Sequence, residues 1–169
     1  SANEGTRYLY TEASSKSDGD IADLIEEFDL TQVSGQPELI FDYHMFFAGD
    51  NTDGSLDVDV STDGGSTWNN EFTRVGEQNS GNFDPWNTAN VDLSAYGSNS
   101  SVFIRFRATL GGNPQVYRHD ISIDDVRVQA SAGGCAQTLP YTEDFESGFP
   151  TCWTRNNPTQ VTVNSNYQT

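Results

Sequence analysis

Asp124 and Asp125 sit side by side where a period-two apolar pattern loses step. Ile121 and Ile123 face one way, and Val126 and Val128 are out of phase with them. The slip predicts a β-bulge at the two aspartates, or a strand that ends early. Neighbouring carboxylates are costly to bury unless something cationic holds them, so the pair is a candidate cation site. The loop Asp50-Asn51-Thr52-Asp53-Gly54 is a second candidate. Its spacing is only close to that of a calcium loop, and no Glu stands at the required distance, so a hairpin turn is the plainer reading. His44 and His119 are the only histidines. Neither neighbours a serine or cysteine nucleophile in a known motif, and no two carboxylates are singled out as a paired acid and base. The chemistry that remains is recognition. Aromatic faces stack on sugars, and Arg forks hold carboxylates or sulfates. Trp86, Tyr117, Arg105, Arg107 and Arg118 are the candidate ligand-binding residues.

Composition narrows the partners. The chain has 169 residues, enough for one domain with a real core. Its 25 acidic and 8 basic residues leave a net charge of −17, and Lys16 is the single lysine. Phosphate backbones are held by Lys and Arg clusters, so nucleic acid is excluded as a partner. An anionic membrane surface would repel such a chain, while hard cations such as calcium would be drawn to it. No apolar run reaches the roughly 20 residues of a membrane span, so no membrane insertion is expected. Cys135 and Cys152 lie 17 positions apart among Ser, Thr, Asn and Gly. In a cytosolic enzyme the pair would suggest metal or redox chemistry. In these surroundings a local disulfide is expected, with about 3 kcal/mol of stabilisation in the chain-entropy model.

The elements that position these residues follow from periodicity. Leu39, Phe41, Tyr43 and Met45 alternate with Ile40, Asp42, His44 and Phe46. Leu56, Val58 and Val60 alternate with Asp57, Asp59 and Ser61, and Val102, Ile104, Phe106 and Ala108 with Phe103, Arg105, Arg107 and Thr109. Each run predicts a half-buried strand. Turn clusters at Ser34-Gly35-Gln36-Pro37, Gly49–Gly54 and Gly111-Gly112-Asn113-Pro114 separate the runs. Short strands at this spacing predict an all-β fold, an antiparallel β-sandwich. Ile21, Leu24, Ile25 and Phe28 fit a helical stripe instead.

Two motifs carry a resemblance. Ser61-Thr62-Asp63-Gly64-Gly65-Ser66-Thr67-Trp68 resembles the Asp-box turns of sialidase-like propellers. It occurs once, and its physical content is a hairpin turn with Asp63 accepting backbone N–H bonds over Trp68. Leu39–Phe46, followed by Gly54-Ser55-Leu56-Asp57-Val58, resembles the MAM signature. Trp68, Trp86 before Val91-Asp92-Leu93, Ile104-Arg105-Phe106 and Ile121–Val126 follow in the family's order. Tyr141-Thr142-Glu143-Asp144-Phe145-Glu146, running on to Cys152-Trp153, is similar to the opening strand of MAM-type and cleaved-adhesin-type modules.

The resemblance implies a jelly-roll module of a secreted or cell-surface protein, with a strand near Glu26–Leu30 in place of the helix. It implies a body over residues 1–134 and a tail over 135–169 that carries the family's opening strand. The tail either begins a tandem copy or completes the sandwich, in its own chain or swapped into a dimer. It implies calcium shared by Glu146 and by Asp124 or Asp125, with Asn3 and Glu4 as further ligands. The function it implies is calcium-stabilised, non-catalytic binding and adhesion to carbohydrate or a cell-surface protein. A structural spacer in an adhesin array and a polysaccharide hydrolase are the alternatives.

Overall fold

The computed structural model describes residues 2–48, 53–111 and 115–131. The chain divides into two units, Ser1–Ala130 and Ser131–Thr169, and the first is the subject here. The expectations for Glu146, Cys135, Cys152 and the tail's opening strand lie outside the described residues, as does most of the Asp50–Gly54 loop.

Among the described residues eight strands form two antiparallel sheets. They are β1 (Leu9–Tyr10), β2 (Ile21–Phe28), β3 (Pro37–Met45), β4 (Ser55–Ser61), β5 (Asn69–Val75), β6 (Asn87–Asp92), β7 (Val102–Thr109) and β8 (Ile121–Ala130). One sheet has the order β1-β8-β3-β6 and the other β2-β7-β4-β5. The all-β sandwich expected from the sequence is the observed fold. Among the described residues no helix is long and apolar enough to cross a membrane.

The inward faces match the alternation. Leu39, Phe41, Tyr43 and Met45 from β3 meet Leu56, Val58 and Val60 from β4 and Val102, Ile104, Phe106 and Ala108 from β7. Phe41 joins the layers. Its ring lies edge-on to Phe106 at 4.9 Å and to Phe72 at 5.3 Å, the arrangement ring quadrupoles favour.

The slip in β8 is a bulge. Register with β3 shifts between Ile40 and Asp42, and Asp125 has a φ of 48°. Val128 thereby returns to the core opposite Leu39, while Val126 stays exposed.

The Ile21–Phe28 segment is a strand, as the resemblance implied, but it starts and stops earlier than expected. A short 3₁₀ turn, Leu30–Gln32, follows it. Leu24 lies opposite the inward Phe106, yet it is 46% exposed. Sheet order explains this. The facing edge strand, β1, is only two residues long, so among the described residues the inner side of β2 is open at Leu24, while Phe28 at its end packs on the core. A groove runs there, between Leu9 and Ile123 on one sheet and Leu24 and Ala108 on the other.

This contrast predicts the cost of substitutions. Phe41→Ala should destabilise by about 3–5 kcal/mol in urea unfolding. Leu24→Ser should stay within about 0.5 kcal/mol. A Leu24→Ser cost equal to that of Phe41→Ala would show that this flank is closed.

Candidate functional site

The end of β3 sets the site. Met45 N–H donates to Asn79 Oδ1 at 2.9 Å, and Asn79 N–H returns a bond to the Met45 carbonyl at 3.0 Å. The same Asn79 side chain accepts from Asn87 Nδ2 and donates to the Pro85 carbonyl. One buried amide thus ties together the last residue of β3, the loop that leads into β6, and the first residue of β6.

A cleft of about 310 Å³ opens beside this node. His44 and Phe46 come from β3 and its exit, and Asn82 and Trp86 from the loop. Tyr8 and Tyr10 come from the N-terminal segment, Tyr117 and Arg118 from a 3₁₀ turn, and Asp120 and Ser122 from the start of β8. Trp86 is the centre of the aromatic wall. Tyr8 stands edge-on to it at 5.5 Å, and His44 lies tilted at 5.7 Å. Tyr10 continues the wall, 6.1 Å from Tyr8. Two backbone–side-chain pairs hold the N-terminal segment here. Ile121 N–H donates to Thr11 Oγ1, and Ala13 N–H donates to Asp120 Oδ1 at 2.9 Å.

The polar groups of the cleft are tuned by burial. Desolvation lowers the His44 pKa, against the opposing pull of the Gly81 carbonyl and Asp84, so the ring is neutral at pH 7. Its Nε2 is buried without a hydrogen-bond partner among the described residues. Desolvation raises the Asp120 pKa, the Ala13 N–H bond opposes the rise, and Glu12 adds to it.

The five residues expected to bind ligand divide into two groups. Trp86, Tyr117 and Arg118 meet in the cleft. Arg105 and Arg107 lie on β7 in the other sheet, each opposite an aspartate. Arg105 pairs with Asp59 at 2.8 Å and covers the Trp68 ring at 4.1 Å. Arg107 grips Asp23 with two bonds of 2.8 and 2.9 Å. Tyr8, Tyr10, His44 and Asp120 belong to the cleft and were not anticipated from sequence. The Asp-box is the β4–β5 hairpin turn. Asp63 accepts from Thr67 N–H, Thr67 Oγ1 and Ser61 Oγ, which brings its pKa down to about 2. Gly64 and Gly65 have φ of 73° and 84°, and a Cβ at Gly65 would sit 3.2 Å from the Trp68 ring.

The expected cation ligands are partly assembled. Asp124 Oδ2 accepts from Asn3 N–H at 2.8 Å and Glu4 N–H at 3.0 Å, and Oδ1 accepts from Asp125 N–H. Burial raises the Asp124 pKa, but these three donors outweigh it and leave it lowered. Asp125 turns to Arg127. Buried Asp42, the β3 partner of Asp124, joins the cluster through Asn3 Nδ2 and Thr88 Oγ1. Two carboxylates and an amide are the right chemistry for a hard cation but fall short of six to eight oxygens. Among the described residues no group of three or more His, Cys, Asp or Glu side chains is placed to hold a metal.

Asn79→Ala should destabilise the fold by about 1–3 kcal/mol, because it leaves the buried Met45 N–H unpaired. Tryptophan fluorescence during urea unfolding would measure the loss. An unchanged midpoint would show that the node is dispensable.

A search of the curated proteins found no match to the chain. Solved structures that match include CBM27-1 of Caldicellulosiruptor saccharolyticus in complex with mannohexaose, at 15% identity and a TM-score of 0.46. That match covers 76% of this chain and 80% of the other. A Cellvibrio japonicus xylanase in complex with xylopentaose matches at 12% identity and a TM-score of 0.41, over 79% of this chain and 27% of the xylanase. The family model for the MAM domain, meprin/A5/mu, matches residues 1–136, the stretch that holds both sheets and every residue of the cleft, and the protein therefore belongs to the MAM family.

Proposed function

We propose that this MAM domain is a non-catalytic binding module and that its aromatic cleft holds a carbohydrate. The convergence of Trp86, Tyr8, Tyr10 and Tyr117 on one cleft carries the reading. Aromatic rings present a flat apolar face to the C–H side of a pyranose, and few rotatable bonds must be ordered to do so. Asn82, Asp120, Ser122 and Arg118 stand beside them as hydrogen-bonding groups for hydroxyls. The volume falls at the low end of the range for small-ligand sites. A glycosidase needs two carboxylates flanking one bond. Among the described residues lining the cleft, Asp120 is the single carboxylate, which favours binding over hydrolysis.

The ligand is neutral in this reading. Arg118 is the single cationic side chain among the described lining residues, on a chain of charge −17. A secreted or cell-surface setting suits such a module.

Trp86→Ala should raise the Kd for a bound glycan roughly tenfold or more, the weight of a central aromatic anchor. A glycan array followed by calorimetry would measure it. Arg107→Ala should leave the Kd unchanged, since its side chain is spent on Asp23. Equal losses in the two variants would move the site to the β7 face.

We further propose that calcium binds at Asp124, with its β3 partner Asp42 supplying further oxygens. A ligand bound only by the folded state stabilises it by about 2.7 kcal/mol at a hundred times its Kd. Chelator should therefore lower the melting temperature and added calcium should restore it. A melting temperature indifferent to chelator would count against this site.

A further inference from the structure

We propose that Phe83 is a second stacking platform, so that the site takes an oligosaccharide of at least two units rather than a single sugar. The proposal rests on the reading of the cleft as a carbohydrate site. Phe83 is 96% exposed, far beyond any other large apolar side chain among the described residues. Single exposed apolar residues are ordinary on protein surfaces. What sets Phe83 apart is the turn that displays it.

Three hydrogen bonds close that turn. Asp84 N–H donates to the Gly81 carbonyl at 3.2 Å. Ser80 N–H and Ser80 Oγ both donate to Asp84 Oδ2, at 2.7 and 2.8 Å. Pro85 follows, its φ fixed by its ring, and its carbonyl is held by buried Asn79. The ring therefore stands in water on a backbone already ordered, which removes much of the entropy cost of binding through it.

Its place in the chain gives the direction. Asn82, immediately before it, lines the cleft, and Trp86, three residues on, forms the wall. The other exposed aromatic residues among those described, Tyr8, Tyr10 and Tyr117, all line the same cleft. Among the described residues Phe83 is the one exposed aromatic residue outside the lining, and it is joined directly to Asn82, which belongs to it. A sugar unit held against Trp86 would lead its neighbour to Phe83.

The experiment is a length ladder. Manno-, xylo- and cello-oligosaccharides of one to six units are titrated calorimetrically into the full chain and into Phe83→Ser, Phe83→Trp and Trp86→Ala variants. For the series that binds, the full chain should gain about tenfold in affinity as units are added beyond the shortest ligand bound. Phe83→Ser should keep the shortest ligand's Kd within about twofold and lose that gain, with an unchanged melting temperature, and Phe83→Trp should retain it. Trp86→Ala should weaken every length. A Phe83→Ser variant with the same length dependence as the parent overturns the proposal and leaves the cleft reading standing. Binding that ignores Trp86→Ala overturns the cleft reading itself. A parent chain that binds none of the three series defeats both.

Discussion

The buried amide of Asn79 is the constraint from which the cleft end of the sandwich is built. It is 6% exposed, and its side chain uses both an oxygen and a nitrogen. A strand end inside a protein leaves backbone groups that water cannot reach, and each one left unmade is expensive. The ladder with β6 ends at Tyr43 opposite Asn87, and Asn79 takes up the Met45 N–H beyond that end. The bond to Pro85 then shapes the loop, and the bond to Asn87 starts β6. His44 just before the node, Phe46 just after it and Trp86 on the loop acquire their places from one side chain.

Charge is distributed by the same logic. Of the two buried aspartates among the described residues, Asp42 is held by Asn3 and Thr88 and Asp59 by an arginine. Asp59 is buried in the middle of β4, and Arg105 meets it directly across the strand pair. A buried carboxylate left without that partner would be strongly destabilising. Arg107 serves Asp23 in the same way nearer the surface. These two arginines looked available for ligand in the sequence because alternation gives the face of a strand but not the identity of the strand opposite. The aspartates that use them lie 46 and 84 residues away.

The same limit marks what could be read and what could not. The alternating runs of β3, β4 and β7 were legible because a residue's face depends only on its own strand. The bulge at Asp124-Asp125 was legible as a break in that period. The Ile21–Phe28 stripe misleads because an edge strand with an uncovered inner side need not alternate. Ile21 and Ile25 point outward, yet both remain apolar. β5 went unread, since its pattern has one buried residue, Phe72. The Asp-box before it was the available signal, because a hairpin turn after β4 requires a returning strand. The cleft was legible only in Trp86, Tyr117 and Arg118. Its other walls are assembled from distant segments, and no local spacing reveals that Tyr8 will stand against Trp86.

The cleft also sits on the least anchored part of the sandwich. β1 contributes two residues to its sheet, paired only with Ser122 and Ile123. Its backbone continues with a single further bond, Thr11 N–H to the Ile121 carbonyl. Tyr10 lines the cleft and also the apolar groove beside β2, so one short strand forms the partition between the two. Segments with few backbone bonds and little buried apolar surface open at a lower free energy than core strands. The Trp86 side of the cleft is fixed by Asn79 and the core, while the Tyr8–Tyr10 side is held by bonds at its two flanks, Asn3 and Glu4 to Asp124 before it and Thr11 and Ala13 to Ile121 and Asp120 after it. A ligand seated between the two sides gains from the first and orders the second. Under the proposed function, affinity at this site would depend on how firmly β1 is held as well as on the rings themselves.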